Sequence, residues 1–84
     1  MKKNINIGGG YDWKAEGWCT LDNAPFKGKL KKNQFYGKCW DSNFDDNSFN
    51  IIFTSHTLEH VPHFRLEKTI SEFNRILKTG GILR

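Results

Sequence analysis

These 84 residues predict an α/β fold built on a mostly parallel sheet, and three observations carry that reading. Short β-favouring runs are separated by loops or by a helical pattern, with no hairpin turn signal between them. Three consecutive glycines, Gly8, Gly9 and Gly10, close the first run, where a doubly wound sheet brings its backbone close to a ligand. The run Phe49-Asn50-Ile51-Ile52-Phe53 is almost continuously apolar, as suits a central parallel strand covered on both faces.

The elements follow in order. Asn4-Ile5-Asn6-Ile7 alternates polar and apolar residues and reads as a strand running into the glycine turn. The segment after it, YDWKAEGW, is too short for a full crossover helix. Trp18 to Leu21 reads as a second strand ending at Asp22, and Asn23 to Asn33 as a loop with Pro25, Gly28 and several lysines. A third strand is expected over Gln34 to Trp40, interrupted by Gly37. The turn residues Asp45-Asp46-Asn47-Ser48 introduce the apolar fourth strand. Beyond Pro62, Leu66, Ile70, Phe73 and Leu77 recur at helical spacing, Ile76 widens that face, and Gly80 is the expected helix stop. A fifth strand is expected to begin at Ile82.

The length allows one small domain, residues 1–84, with a limited core. An aromatic content of 14% argues against disorder, and no run is long and apolar enough for a membrane span. MKKNINIGGG lacks the apolar core of a secretory signal, so a cytoplasmic location is expected. Cys19 and Cys39 have neither disulfide-framework nor metal-type spacing; both are read as free, strand-borne thiols. The net charge of +4 owes much to Lys27, Lys29, Lys31 and Lys32. Such a cluster can attract RNA, but with no arginine-rich stripe or recognition helix a solvated loop is the simpler reading, and nucleic acid is disfavoured.

The glycine turn and Asp22 suggest ligand chemistry. Glycines at a strand tip admit a ligand close to the backbone, and a carboxylate ending the next strand can accept two hydrogen bonds from a ribose diol. Asp22 follows Gly10 by only 12 residues, and Trp13 stands where a dinucleotide fingerprint has its third glycine, so NAD is disfavoured. By itself a triple glycine could be a plain loop. Ser55-His56-Thr57-Leu58-Glu59-His60-Val61 contains H-x-x-E-H, a zinc-protease pattern that needs both histidines on one helix. Here it follows a strand directly and meets Pro62 two residues after His60; only His63, Glu67 and Glu72 remain downstream as a third ligand. No metal is expected.

The segments INIGGG, GWCTLD, WDSNFDDNSFNIIFTSHTLEHV and FNRILKTGGILR, in that order, resemble the class I, Rossmann-like S-adenosylmethionine-dependent methyltransferases, in detail the type 11 kind. The resemblance covers nearly the whole chain and implies the N-terminal portion of that fold, truncated at the C-terminus. It implies S-adenosyl-L-methionine as cofactor and methyl transfer by in-line displacement to an unidentified acceptor. Gly8 and Gly10 would face the methionine part, with Gly9 between them also cofactor-binding, Asp22 the ribose hydroxyls, and Asp41 with Ser42 beside it the adenine. His56 would lie between cofactor and acceptor, where an imidazole can take a proton from a nucleophile. The sequence departs from the family pattern at Asn6, where Asp or Glu is usual, at Asn50 for Asp, and at Thr79 for Pro. A short sheet leaves an open edge, so a second copy or a partner chain completing it is expected. The competing readings are a non-catalytic remnant acting as an interaction module and a small basic RNA-binding protein.

Overall fold

The computed structural model describes residues 4–9, 13, 15–23, 30–54 and 57–84, and of His60 the backbone. Five strands form one sheet: β1 (Asn4–Ile7), β2 (Trp18–Asp22), β3 (Gln34–Tyr36), β4 (Phe49–Thr54) and β5 (Leu77–Leu83). Their order is β3-β2-β1-β4-β5, and every pairing is parallel. Helix α1 (Leu66–Ile76) is the crossover from β4 to β5, preceded by the 3-10 turns Leu58–His60 and His63–Arg65. Chain direction reverses its lateral progress beside β1, between the β2–β3 arm and the β4–β5 arm, and that point is where such sheets form a crevice.

β1 is the centre of the packing. Ile5 and Ile7, with Cys19 and Leu21 of β2 and Phe49 and Ile52 of β4, meet Phe73 and Ile76 of α1 in one cluster in which no residue is more than 6% exposed. Cys39, Phe44 and Leu77 pack against its rim. The sheet register sets Asn6 between Thr20 and Phe53, so the alternate residues make a more polar second face. Asn6 and Thr20 are buried there, while Phe53 is half-open to solvent.

Three expected boundaries shift. α1 turns Thr69, Phe73 and Ile76 inward and leaves Ile70 exposed, so its buried face is rotated from the Leu66-Ile70-Phe73-Leu77 stripe. The helix also ends at Ile76, not at Gly80, because Leu77 is already extended (φ −84, ψ 134) and pairs with Phe49. The last helical carbonyls are satisfied from outside: Asn47 N–H donates to Arg75 O (2.9 Å) and Ser48 N–H to Ile76 O (2.8 Å). Pairing resumes at Ile51 with Ile82, so Lys78 to Gly81 form a bulge within β5. A Cβ on Gly81 would sit 2.8 Å from the Asn50 carbonyl and 2.7 Å from Leu77 Cδ1, which is why the bulge needs a glycine there.

β3 is shorter than expected. It stops at Tyr36, Gly37 N–H donates to the Asp22 carbonyl (3.0 Å), and residues 38–41 close a turn through the antiparallel bridge Lys38↔Asp41. Cys39 therefore lies in a turn and not in a strand, whereas Cys19 is in β2 as expected; neither forms a disulfide. Among the described residues, no helix is long and apolar enough to cross a membrane.

Candidate functional site

Parallel strands bring all their carboxyl ends to one edge of the sheet, and a cavity lies at that edge. It has a volume of ≈ 410 Å³, within the range of small-molecule sites. The end of β1 contributes Ile7 and Gly8, the end of β2 Leu21, Asp22 and Asn23, and the turn after β3 Gly37, Cys39 and Trp40. Thr57, Val61 and Pro62 close it from beyond β4. Segments far apart in sequence meet here because β1 lies between β2 and β4.

The glycine turn is held closely. Gly8 has φ +81, a left-handed conformation that side chains disfavour, and its N–H donates to Leu21 O at 2.8 Å. A Cβ on Gly8 would collide with the Thr57 hydroxyl. One on Gly9 would lie 2.5 Å from Asn6 Nδ2, so the buried Asn6 amide forms the floor of the turn. Asn6 Oδ1 is buried and finds no hydrogen-bond partner among the described residues. An ionised Asp in that place would carry a far larger desolvation cost, which fits the neutral residue found here.

On the far wall, Trp40 is flanked by two cations, Lys38 Nζ at 5.3 Å and Arg65 Cζ at 5.6 Å from a ring centroid. Burial pushes the Cys39 thiol pKa up, with the weak Thr69 contact (3.9 Å) acting in the other direction. This thiol is therefore a wall and a poor nucleophile at neutral pH.

The expected site residues divide into three groups. Gly8 and Asp22 line the cavity, and Gly9 stands beside Gly8 over Asn6. Asp41 and Ser42 follow Trp40 but are not among the lining residues. Asp41 is exposed at the end of its turn, and Ser42 donates from both its amide (2.8 Å) and its hydroxyl (2.7 Å) to Glu72 Oε2. Gly10 and His56 lie outside the described residues, as do Lys27 and Lys29 of the lysine cluster. Thr57, Cys39, Val61 and Pro62 were not anticipated as cavity residues, and Trp40, an aromatic able to pack on adenine, lines the cavity with them. Three of them lie in or beside SHTLEHV, and Trp40 immediately precedes Asp41, so proximity to those motifs was the available signal.

SHTLEHV itself has a defined shape over its later part. Leu58–His60 is a single 3-10 turn that ends at Val61 in extended conformation (φ −81, ψ 131), followed by Pro62. Glu59 is exposed on that turn.

Comparison with known proteins agrees with this geometry. Residues 21–84 match the family described as methyltransferase domain, and the chain belongs to that family. A 41-residue segment is 44% identical to the probable methyltransferase ltbC of Aspergillus luteorubrus, covering 48% of this chain and 14% of that protein. The fold matches the crystal structure of a protein of Methanococcus maripaludis described as an S-adenosyl-L-methionine-dependent methyltransferase, with TM-score 0.70 and 16% identity. That match covers 96% of this chain and 47% of the other, so the chain spans about half the length of that neighbour. The architecture is thus the N-terminal part of a class I methyltransferase fold.

Proposed function

We propose that the strand-tip cavity binds S-adenosyl-L-methionine and that the chain serves methyl transfer to an acceptor whose identity its sequence does not specify. The observation that carries this reading is the convergence of the left-handed Gly8 turn, the Asp22 carboxylate and the Trp40 wall on one ≈ 410 Å³ cavity at the switch point of the sheet. Family membership and the fold support it.

The residues present fit the cofactor's chemistry. Asp22 is an acceptor at the tip of β2, suited to the two ribose hydroxyls. Ile7, Leu21, Val61 and Pro62 offer apolar surface and exclude water, and the Trp40 ring offers a planar contact for a purine. The cofactor, when bound, supplies a methyl group activated by a positive sulfonium. The protein's task is then alignment and desolvation, which needs no metal cluster or catalytic triad. Gly9, Gly10, Asp41 and His56 belong to the proposed set by the family resemblance alone, while the amide and hydroxyl of Ser42 are both engaged by Glu72.

Calorimetric titration with S-adenosylhomocysteine tests the proposal. Micromolar binding by the wild type, weakened at least tenfold by Asp22→Ala, is expected; a tenfold loss corresponds to about 1.4 kcal/mol, within the range of a lost charge-assisted hydrogen bond. A folded chain that binds nothing, or an Asp22→Ala variant that binds as tightly, would refute it.

A further inference from the structure

Thr57 is the second residue of the histidine-bounded motif that no metal reading explains. Its side chain does not cap the turn it precedes. Instead its hydroxyl donates to the carbonyl of Ile7 at 3.0 Å, across 50 positions of sequence, and presses on the α-carbon side of Gly8. Ile7 ends β1 and is 2% exposed, so water does not readily replace that donor. On its other side the turn is tied to β2 through Gly8 N–H and Leu21 O. The left-handed Gly8 is thus gripped between β2 and the segment after β4, and Gly8 and Thr57 both line the cavity.

We infer that Thr57 is a positioning residue: its hydroxyl locks the glycine turn to the loop after β4 and so presets the cavity for the cofactor. This rests on the cofactor reading above. The hydroxyl is the essential part: it supplies the donor, and its oxygen is the atom nearest the space that a glycine at position 8 leaves open. Val61 N–H donates back to Leu58 O (3.2 Å), so the clamp also anchors a closed turn and not a loose loop.

Two measurements on Thr57→Val and Thr57→Ser separate this inference from the cofactor reading. Valine keeps the shape and removes the donor; serine keeps the donor. Without ligand, the Gly8 amide should exchange its hydrogen roughly tenfold faster in Thr57→Val than in wild type, since local opening rates follow the loss of about one hydrogen bond. Thr57→Ser should return to near the wild-type rate, and the Ile52 amide in β4 should not change in either variant. S-adenosylhomocysteine affinity should fall by about tenfold in Thr57→Val and recover in Thr57→Ser. Unchanged Gly8 exchange in Thr57→Val, or a general acceleration that includes Ile52, overturns the clamp. A clamp seen by exchange in a wild type that binds no S-adenosylhomocysteine overturns the cofactor role instead.

Discussion

Replacing Glu72 by Gln should cost stability at neutral pH and progressively less in acid. Glu72 lies on α1, with its side chain only 10% exposed, and accepts four hydrogen bonds. Arg75 Nε reaches Oε1 at 2.8 Å and Arg75 Nη2 reaches Oε2 at 2.9 Å, beside the two Ser42 donors. Arg75 also spans to Asp46 at 2.7 Å, so the Glu72–Arg75 pair on α1 ties down both Ser42 and the turn before β4. The Arg75 hydrogen bonds, then those from Ser42, hold the Glu72 pKa at about 2 against an ordinary 4.5.

A gap of that size sets a ceiling of about 3 kcal/mol on the linked stabilisation. Arg75 is 36% exposed, and solvent screening brings the expected value to about 1–2 kcal/mol. For a domain of this size that is a loss of roughly 5–15 °C in melting temperature. The sign follows from a depressed carboxylate pKa. The contribution is complete above the unfolded-state value near 4.5 and is lost as pH falls through about 2. Urea and thermal melts of wild type and Glu72→Gln, taken from pH 7 to pH 2.5, should show a gap that narrows steadily below pH 5. A gap of constant size across that range would refute the electrostatic reasoning, and no gap at pH 7 would show that the network contributes nothing.

Gly8→Ala should abolish S-adenosylhomocysteine binding, because the new methyl group meets the Thr57 hydroxyl and φ +81 is strained for alanine; binding within threefold of wild type by calorimetry would contradict that geometry. Alkylation of Cys39 by iodoacetamide should be slow at pH 7, rise above pH 9, and slow further when S-adenosylhomocysteine is present, as read by peptide mass spectrometry. Phe73→Ala, at a site 1% exposed, should cost about 3–5 kcal/mol and leave the chain largely unfolded by circular dichroism. β5 is an edge strand whose Ile82 and Leu83 are each 47% exposed, and self-association through it should appear in light scattering and be reduced by Ile82→Lys; a monomer at all concentrations for both chains would show the edge stays unpaired.

Three strands were legible in full because β1, β2 and β4 each carry their own signal. Alternation marks β1, a Trp-Cys-Thr-Leu run β2, and near-continuous apolarity β4. The glycine turn and Asp22 were legible for the same reason: strand-tip chemistry is local. The end of α1 was not. Periodicity continues through Leu77, and only the pairing with Phe49 pulls that residue into the sheet, a tertiary effect absent from any window of sequence. Cys39 and Trp40 read as strand because their types favour strands, yet Gly37 turns the chain under the Asp22 carbonyl. Ser42 shows another limit: its partner Glu72 lies 30 residues away on α1, a tertiary contact that no local window of sequence contains.

The placement of Thr57 also explains why SHTLEHV resembles a metal motif without the backbone that motif requires. Two ligands four positions apart must share one helical face. A single 3-10 turn ending in extended Val61 and then Pro62 serves a different need, which is to bring a short loop back over the strand tip. Thr57 touches β1, and Val61 and Pro62 then wall the cavity. β1 thus has the Asp22 arm on one side, bound through Gly8 and Leu21, and the Thr57 arm on the other, bound through Ile7. A ligand that fills the cavity touches both arms, and the four-residue β1 is the element through which they meet. Tightening at Asp22 should therefore be felt at Thr57, and a double-mutant cycle of Asp22→Ala with Thr57→Val should be non-additive in ligand affinity. Strict additivity would mean that the two arms bind independently and that β1 is only a support.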